Sequence, residues 1–399
     1  MDFNSIAYFN SNDGTSFIGF GVENSLRLTN GNSIDEFEKF VEENNGKFIL
    51  LALSYDLKNE IENLESKNQD GIKFPKIIAW TPAFFVEISS GKKTFLYGKE
   101  SSDSRAFIDV FLNVRERNPQ KNGVNLKPRI SKQEYLEKVI QLKNEIQKGN
   151  IYEVNYCQEF YAHDVLLNDR VSIYHRLNEV TSAPFSNFLQ FDEFTIFGAS
   201  PERFLKKVDA RIISQPIKGT IRRGKNTLED DKLRKKLLND PKEKAENVMI
   251  VDLVRNDLSK IAKPNSVKVD ELFGIYSFKT VHQMISTISC ELKPNSTISP
   301  ILRATFPMGS MTGAPKVSAM KLIEKHEDFK RGLYAGSIGF MRPNGDFDFN
   351  VVIRSLIYNE KEKYLSCSVG GAITSNSTPE SEFEECETKI KKIRDLLND

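Results

Sequence analysis

The stretch SIGFMRPNGDFDFNVVIRSLIYNEKEKYLSCSVGGAI, residues 337–373, decides the fold class. Its runs SIGFMR (337–342), FNVVIRSLIY (349–358) and YLSCSVGGAI (364–373) follow one another with only polar connectors between them. They carry the β-branched and aromatic residues that suit a pleated, half-buried surface. No helical run separates them, so strict strand–helix–strand alternation is excluded.

Working outward, the same texture recurs. YEVNYCQEFYA, FSNFLQF and FTIFGAS read as strands, and so do FILLALSY, KIIAWTPAFFVEI and KTFLYG in the first hundred residues. That early region reads as strands with a few helical turns. Helical runs lie between. Ser131 and Glu134 form a capping-box signature, Tyr135, Val139, Leu142 and Ile146 follow at helical spacing, and Gly149 is placed to end the helix. LEDDKLRKKLLNDPKEKAENVMIVDLVRNDL is helical with a break near Pro241, VSAMKLIEKHEDF is helical, and ESEFEECETKIKKIRDLL closes the chain as a helix. The expectation is an α+β fold with large antiparallel sheets. Residues 114–130, VRERNPQKNGVNLKPRI, are the best linker. They divide an N-terminal region, 1–125, packing onto a main body, 126–399.

Bulk numbers narrow the function. Lys and Arg total 56 against 55 Asp and Glu, a net charge of +1, so no global basic field exists to hold nucleic acid. There is no polybasic tail for a membrane and no apolar window near the roughly 18 residues of a span. The start, MDFNSIAYFNSNDGTSF, lacks a basic-then-apolar leader pattern. A cytoplasmic protein is expected. The four cysteines show no C-x-x-C pairing and the four histidines are scattered, which argues against a His- or Cys-based zinc site.

Several residues could carry chemistry. Lys218, in SQPIKGTIRRG (214–224), is either a solvated charge or a buried amine with a task. Glu243 and Glu246 share a helical face, and Glu382 and Glu385 repeat that spacing. Each pair alone reads as a solvated face. If the two faced each other, the repulsion would demand a cation or bound protons, and oxygen-only ligands favour Mg²⁺. GSMTGAPK (309–316) is not a phosphate loop, because Ala314-Pro315 separates Gly313 from Lys316. It opens a helix whose N–H groups could still receive an anion. VGGAITSNSTPE (369–380) is a second candidate for close backbone approach to a ligand. Arg354, among strand apolars, would need an anion if it pointed inward. Tyr334 offers a hydroxyl, and His282 reads either as a proton shuttle or as a satisfied core histidine.

Together, SPERF (200–204), PIKGT (216–220), KEKAENVMIVDLVRNDL (242–258), TVHQMIST (280–287), GSMTGAPKVSAM (309–320), RGLYAGSIGF (331–340), VVIRS (351–355) and GGAITSNSTPESEFEECETK (370–389) resemble the chorismate-utilising enzymes. That family includes anthranilate, aminodeoxychorismate, isochorismate and salicylate synthases. The resemblance covers roughly residues 130–395. It is loose before residue 115, chiefly SYDLKNEIENL (54–64).

The resemblance implies two facing antiparallel sheets with outer helices and substrate between them. It implies Mg²⁺ on the ring carboxylate of chorismate, held by Glu243, Glu246, Glu382 and Glu385. It implies that Thr312, Tyr334, Arg354, Gly370, Gly371, Ala372 and Lys389 bind substrate, that Glu202 is the acid for the C4 hydroxyl, and that His282 lies in the active site. PIKGT in place of PIAGT is similar to the aminodeoxychorismate synthase branch, where the lysine matching Lys218 attacks C2 and ammonia then adds at C4 and expels the lysine from C2. The alternative enzyme is an anthranilate synthase, and the alternative class is a non-catalytic docking subunit, which intact site residues disfavour.

A nucleophilic lysine needs its pKa lowered from about 10.4, and burial, a bound cation, or Arg222 and Arg223 would do it. Two positions depart from the family. Glu153 stands where water-adding relatives carry a lysine and most aminodeoxychorismate synthases a glutamine. Ala372 stands where many relatives have glycine. No cysteine sits in a G-x-C-x-G context, so the family pattern implies ammonia from a separate glutamine amidotransferase chain.

Overall fold

The computed structural model describes residues 4–114 and 123–398. Part of the expected 114–130 linker lies outside the described residues.

Among the described residues, two sheets form the body. One has eleven strands, ordered Gly313–Ala314, Glu153–Ala162, Tyr364–Ile373, Ser355–Asn359, Phe194–Ser200, Phe185–Phe191, Ile6–Asn10, Thr15–Phe20, Phe84–Ser89 and Lys92–Tyr97, with Lys127–Pro128 also on Glu153–Ala162. The other has ten, ordered Ile217–Arg222, Val281–Glu291, Arg211–Gln215, Arg203–Val208, Phe347–Val351, Ser337–Met341, Ile49–Leu53, Ile77–Thr81 and Asn24–Leu28, with Lys268–Ser277 also on Val281–Glu291. The hairpin Ser337–Met341/Phe347–Val351 pairs antiparallel, as does Ser355–Asn359 with Tyr364–Ile373. The expected α+β class with antiparallel sheets is what forms. Strands from residues 6–97 hydrogen-bond into both sheets.

The sheets face each other through aromatic side chains. Phe17 of the first lies 5.2 Å from Phe340 of the second, and Trp80 of the second lies 4.8 Å from Phe191 of the first. Such ring pairs add about 0.5–1.5 kcal/mol each beyond burial. A second core forms where helices cover the larger sheet. There Tyr135, Val139 and Leu142 of Lys132–Gln147 meet Ile390, Ile393 and Leu397 of Pro379–Asn398. The Ser131–Glu134 capping box closes as expected, each side chain bonding the other residue's backbone N–H. Ser131→Ala should cost about 1 kcal/mol, read as a lower urea midpoint at unchanged slope.

One expected strand splits. FNVVIRSLIY is not continuous: Phe347–Val351 belongs to one sheet and Ser355–Asn359 to the other. The chain crosses at Val352–Arg354, where Arg354 adopts φ +52°. The SPER segment crosses the opposite way, from Phe194–Ser200 to Arg203–Val208. The two crossings clasp each other, Ala199 N–H donating to the Arg354 carbonyl (3.2 Å) and Val351 N–H to that of Glu202 (3.1 Å). Glu202 and Arg354 are thus fixed at the seam between the sheets.

Candidate active site

The seam gathers most of the chemistry. Ile217–Arg222 is the terminal strand of the ten-stranded sheet, and its register slips between Ile217 and Thr220. A bulge re-aims side chains, and here Lys218 is buried between half-buried neighbours. Gly219, at φ +88°, makes this possible. A Cβ there would meet Leu237 at 2.9 Å and Glu243 Oε2 at 3.1 Å. Across the cleft, Glu153 begins a strand of the other sheet and pairs with Ala314. Gly313, at φ +142°, lets the two backbones close, since a Cβ would sit 2.2 Å from the Glu153 carbonyl.

Lys218 Nζ donates to Glu153 Oε1 at 2.6 Å, an ion pair joining the two sheets. Both residues are buried. Burial pulls the Lys218 ammonium down, but Glu153, Glu246 and Glu202 outweigh it and raise its pKa above the ordinary lysine value. This corrects the expectation of a lowered pKa. Arg222 and Arg223 do not help, because they pair with Glu229 (2.5 Å) and Asp230 (2.7 Å) at the start of the next helix.

Glu202 is buried, and burial pushes its carboxyl up to about 7, against the opposing effects of the Ser310 hydrogen bond and the Lys218 charge. Ser310 Oγ donates to Glu202 Oε1 at 2.6 Å. Beside them opens a small pocket of about 20 Å³, lined by Phe204, Pro216, Val254 and Met308 among others. Ser310 was missed as a site residue, although it lies inside the quoted GSMTGAPK motif.

The two glutamate pairs lie within electrostatic reach of each other: burial raises the Glu243 carboxyl most, and Glu385 raises it further. Lys242 feels all four: burial lowers its pKa, but Glu246, Glu382, Glu243 and Glu385 together raise it. Burial pushes Glu246 up to about 7 and raises Glu243 and Glu382. Glu385 instead lies below the usual range: burial raises it, but Lys389 at 2.5 Å and Lys242 prevail. Asp240 caps the Glu243 helix by accepting from the Lys242 and Glu243 N–H groups, with Pro241 in its first turn. Among the described residues, no three His, Cys, Asp or Glu side chains form a ready metal cluster. The donor set still suits a hard cation. It is all carboxylate, and Glu246 Oε1 is buried without a hydrogen-bond partner.

Arg354 is half-buried, and no hydrogen bond or ion pair joins its side chain to another described residue. Burial lowers its pKa despite Glu385 and Tyr334. A guanidinium so placed is ready for an anion. Tyr334 is buried with its hydroxyl 3.6 Å from Cys157 Sγ, and burial lifts its pKa far above the usual range. Thr312 is buried and donates to the Met308 or Gly309 carbonyl, both at 3.2 Å. The fully paired Arg331 holds this segment by donating to the Met311 and Asn155 carbonyls.

Gly370, Gly371 and Ala372 belong to the expected YLSCSVGGAI strand. They lie within Tyr364–Ile373, paired with Cys157, Tyr156 and Asn155. Gly371 is the close approach: a Cβ there would lie 3.1 Å from Glu382 Oε2. Lys389 donates to the Gly370 carbonyl at 2.6 Å. His282 is buried, with one ring nitrogen 3.0 Å from Asp230 and the other 2.8 Å from Ser277. Its hydrogen bonds tie it to the Asp230 helix and not to Lys218.

Comparison with known proteins agrees with this fold. The family model described as chorismate binding enzyme matches residues 4–395. The chain is 35% identical over 346 residues to aminodeoxychorismate synthase component 1 of Escherichia coli (strain K12), covering 85% of this chain and 74% of that one. It is 39% identical over 264 residues to the component 1 of Klebsiella aerogenes, covering 66% of this chain but only 58% of the relative. Among solved structures, anthranilate synthase component I from Streptococcus pneumoniae superposes with a TM-score of 0.79 at 25% identity, over 95% of this chain and 92% of that one. With its two sheets clasped at a seam of glutamates, one lysine and one arginine, the chain belongs to the chorismate binding enzyme family.

Proposed function

We propose that this protein converts chorismate and ammonia to 4-amino-4-deoxychorismate, the precursor of 4-aminobenzoate and folate, in the cytoplasm. The observation that carries the reading is Lys218, a buried amine facing the protonatable Glu202 across the seam. Curated relatives named aminodeoxychorismate synthase support it.

Arg354, Tyr334, Thr312, Lys389 and the Gly370–Ala372 backbone hold one substrate carboxylate. Glu243, Glu246, Glu382 and Glu385 would hold Mg²⁺, which when bound would neutralise the ring carboxylate. Neutral Lys218 attacks C2, the double bond shifts, and the C4 hydroxyl takes the Glu202 proton and leaves as water. Ammonia then bonds C4, the double bond shifts back, and the Lys218 nitrogen leaves C2. His282 stabilises this end of the cleft through Asp230.

Ammonia comes from a separate glutamine amidotransferase chain. Glutamine hydrolysis by cysteine needs a reactive thiolate. Here all four cysteines are buried, and burial pushes Cys157 and Cys367 up to about 12 and Cys290 to about 11. Among the described residues no helix is long and apolar enough to cross a membrane.

The deciding experiment supplies chorismate, Mg²⁺ and ammonium and separates the products. Aminodeoxychorismate, non-fluorescent until a lyase is added, supports the reading; fluorescent anthranilate replaces it with the anthranilate synthase reaction. Arg354→Gln should raise KM for chorismate about 10–100-fold with a smaller change in kcat, the expected size for a lost charged hydrogen bond of ~1.5–3 kcal/mol.

A further inference from the structure

The reaction just proposed needs a neutral lysine, yet the resting site surrounds Lys218 with negative charge. Glu153 faces it from the larger sheet, Glu243 and Glu246 from the Pro241–Ser259 helix, and Glu202 from the crossing. Only Glu153 touches the nitrogen, at 2.6 Å. Among the described residues, Lys218 makes no hydrogen bond or ion pair to Glu243, Glu246 or Glu202.

We propose that Glu153 is the proton acceptor that turns Lys218 into a nucleophile. Three features carry this. The hydrogen bond is short and already lies along the transfer path. Glu153 is 1% exposed, so water cannot easily take the proton instead. Its second oxygen, Oε2, is buried and has no hydrogen-bond partner, so nothing else fixes its charge by hydrogen bonding. An ion pair in a drying site pays desolvation for both charges, whereas a neutral amine beside a neutral acid does not. Substrate entry, by displacing water, therefore favours transfer.

The balance is simple. The ammonium N–H breaks, the proton bonds a Glu153 oxygen, and the nitrogen keeps the electron pair that forms the bond to C2. When ammonia displaces the amine, the released lysine recovers its proton from Glu153. Glu202, which gave its proton to the departing hydroxyl, is reprotonated by solvent. The inference rests on the reaction proposed above.

The test compares Glu153→Gln with wild type from pH 6 to 9, following aminodeoxychorismate formation from chorismate and ammonium. Glutamine keeps the shape and an acceptor oxygen but cannot take the proton, so the variant must lose it to solvent. The ratio of variant to wild-type kcat/KM should be about one hundredth at pH 6.5, within the usual range for a lost general base. It should climb about tenfold per pH unit until the variant lysine's own pKa. Using the ratio cancels the Glu202 titration common to both proteins. Glu153→Asp, which keeps a carboxylate, should be slower than wild type by a pH-independent factor. A Glu153→Gln ratio that is flat with pH, or above one at pH 6.5, overturns the proposal, as does a Glu153→Asp ratio that climbs like the glutamine variant's. If wild type makes no aminodeoxychorismate, it is the reaction assignment that fails.

Discussion

Lys218→Met should form aminodeoxychorismate at least about a thousandfold more slowly than wild type, a loss of roughly 4 kcal/mol of transition-state stabilisation. Methionine keeps the unbranched length and removes the amine. The same change strands Glu153, buried and with Lys218 as its hydrogen-bond partner. Breaking a buried ion pair by deleting one partner costs about 3–5 kcal/mol. The variant should therefore show a much lower urea midpoint as well as lost activity. The double variant Lys218→Met/Glu153→Gln separates the two effects, because it leaves neither charge of the pair behind. Its midpoint should recover most of the loss while its activity stays absent. The sign with pH follows from the raised lysine pKa. The pair's stabilisation is fully present below the ordinary value of about 10.4 and is lost only as pH rises through the higher folded-state value. The titration of the lysine itself should therefore add no pH dependence to that stabilisation across neutral pH. A Lys218→Met protein with near wild-type turnover would remove the covalent route.

What the sequence disclosed, and what it did not, follows from the range of the interactions concerned. The Ser131–Glu134 cap and the break at Pro241 are local, set by residues within one turn, and both stand where the sequence places them. The helix Ser33–Glu43 was not singled out in a region read as strands with a few helical turns. Its apolar face, Ile34, Phe37 and Phe40, is short and is buried by tertiary packing. The split of FNVVIRSLIY was hidden because both halves have strand composition. Only pairing with distant partners assigns one half to each sheet, and the turn rests on an arginine at positive φ. The strand YLSCSVGGAI, by contrast, stands where the sequence places it, and its glycines serve close packing within it. The charge of Lys218 depends on Glu153, 65 positions away. No spacing rule links the two residues, so burial, a cation or the neighbouring arginines suggested a neutral amine where the folded site holds an ammonium.

Glu202→Gln is the second large effect, and it runs in opposite directions for rate and stability. In the proposed reaction, Glu202 must be protonated to release the C4 hydroxyl as water. Burial holds its carboxyl at about 7, so a useful fraction is acid at neutral pH. Wild-type kcat/KM should thus decline as pH rises through about 7. The glutamine variant should lose about a thousandfold in kcat, within the usual range for general acid catalysis, and that alkaline decline should disappear with it. Stability moves the other way. A carboxyl whose folded pKa is raised favours folding while protonated, and that contribution is lost as pH climbs through the folded value. Glutamine cannot ionise and can still accept the Ser310 hydrogen bond. Glu202→Gln should therefore match wild type in thermal midpoint at acidic pH and exceed it at pH 8, by on the order of 1–3 kcal/mol. The wild-type site would then be keeping a group that weakens the fold at alkaline pH because the chemistry requires it, a trade-off expected where burial tunes an acid. A variant no more stable than wild type at pH 8 would mean that Glu202 ionises there without penalty. The raised pKa, and with it the assignment of Glu202 as the acid, would then be wrong.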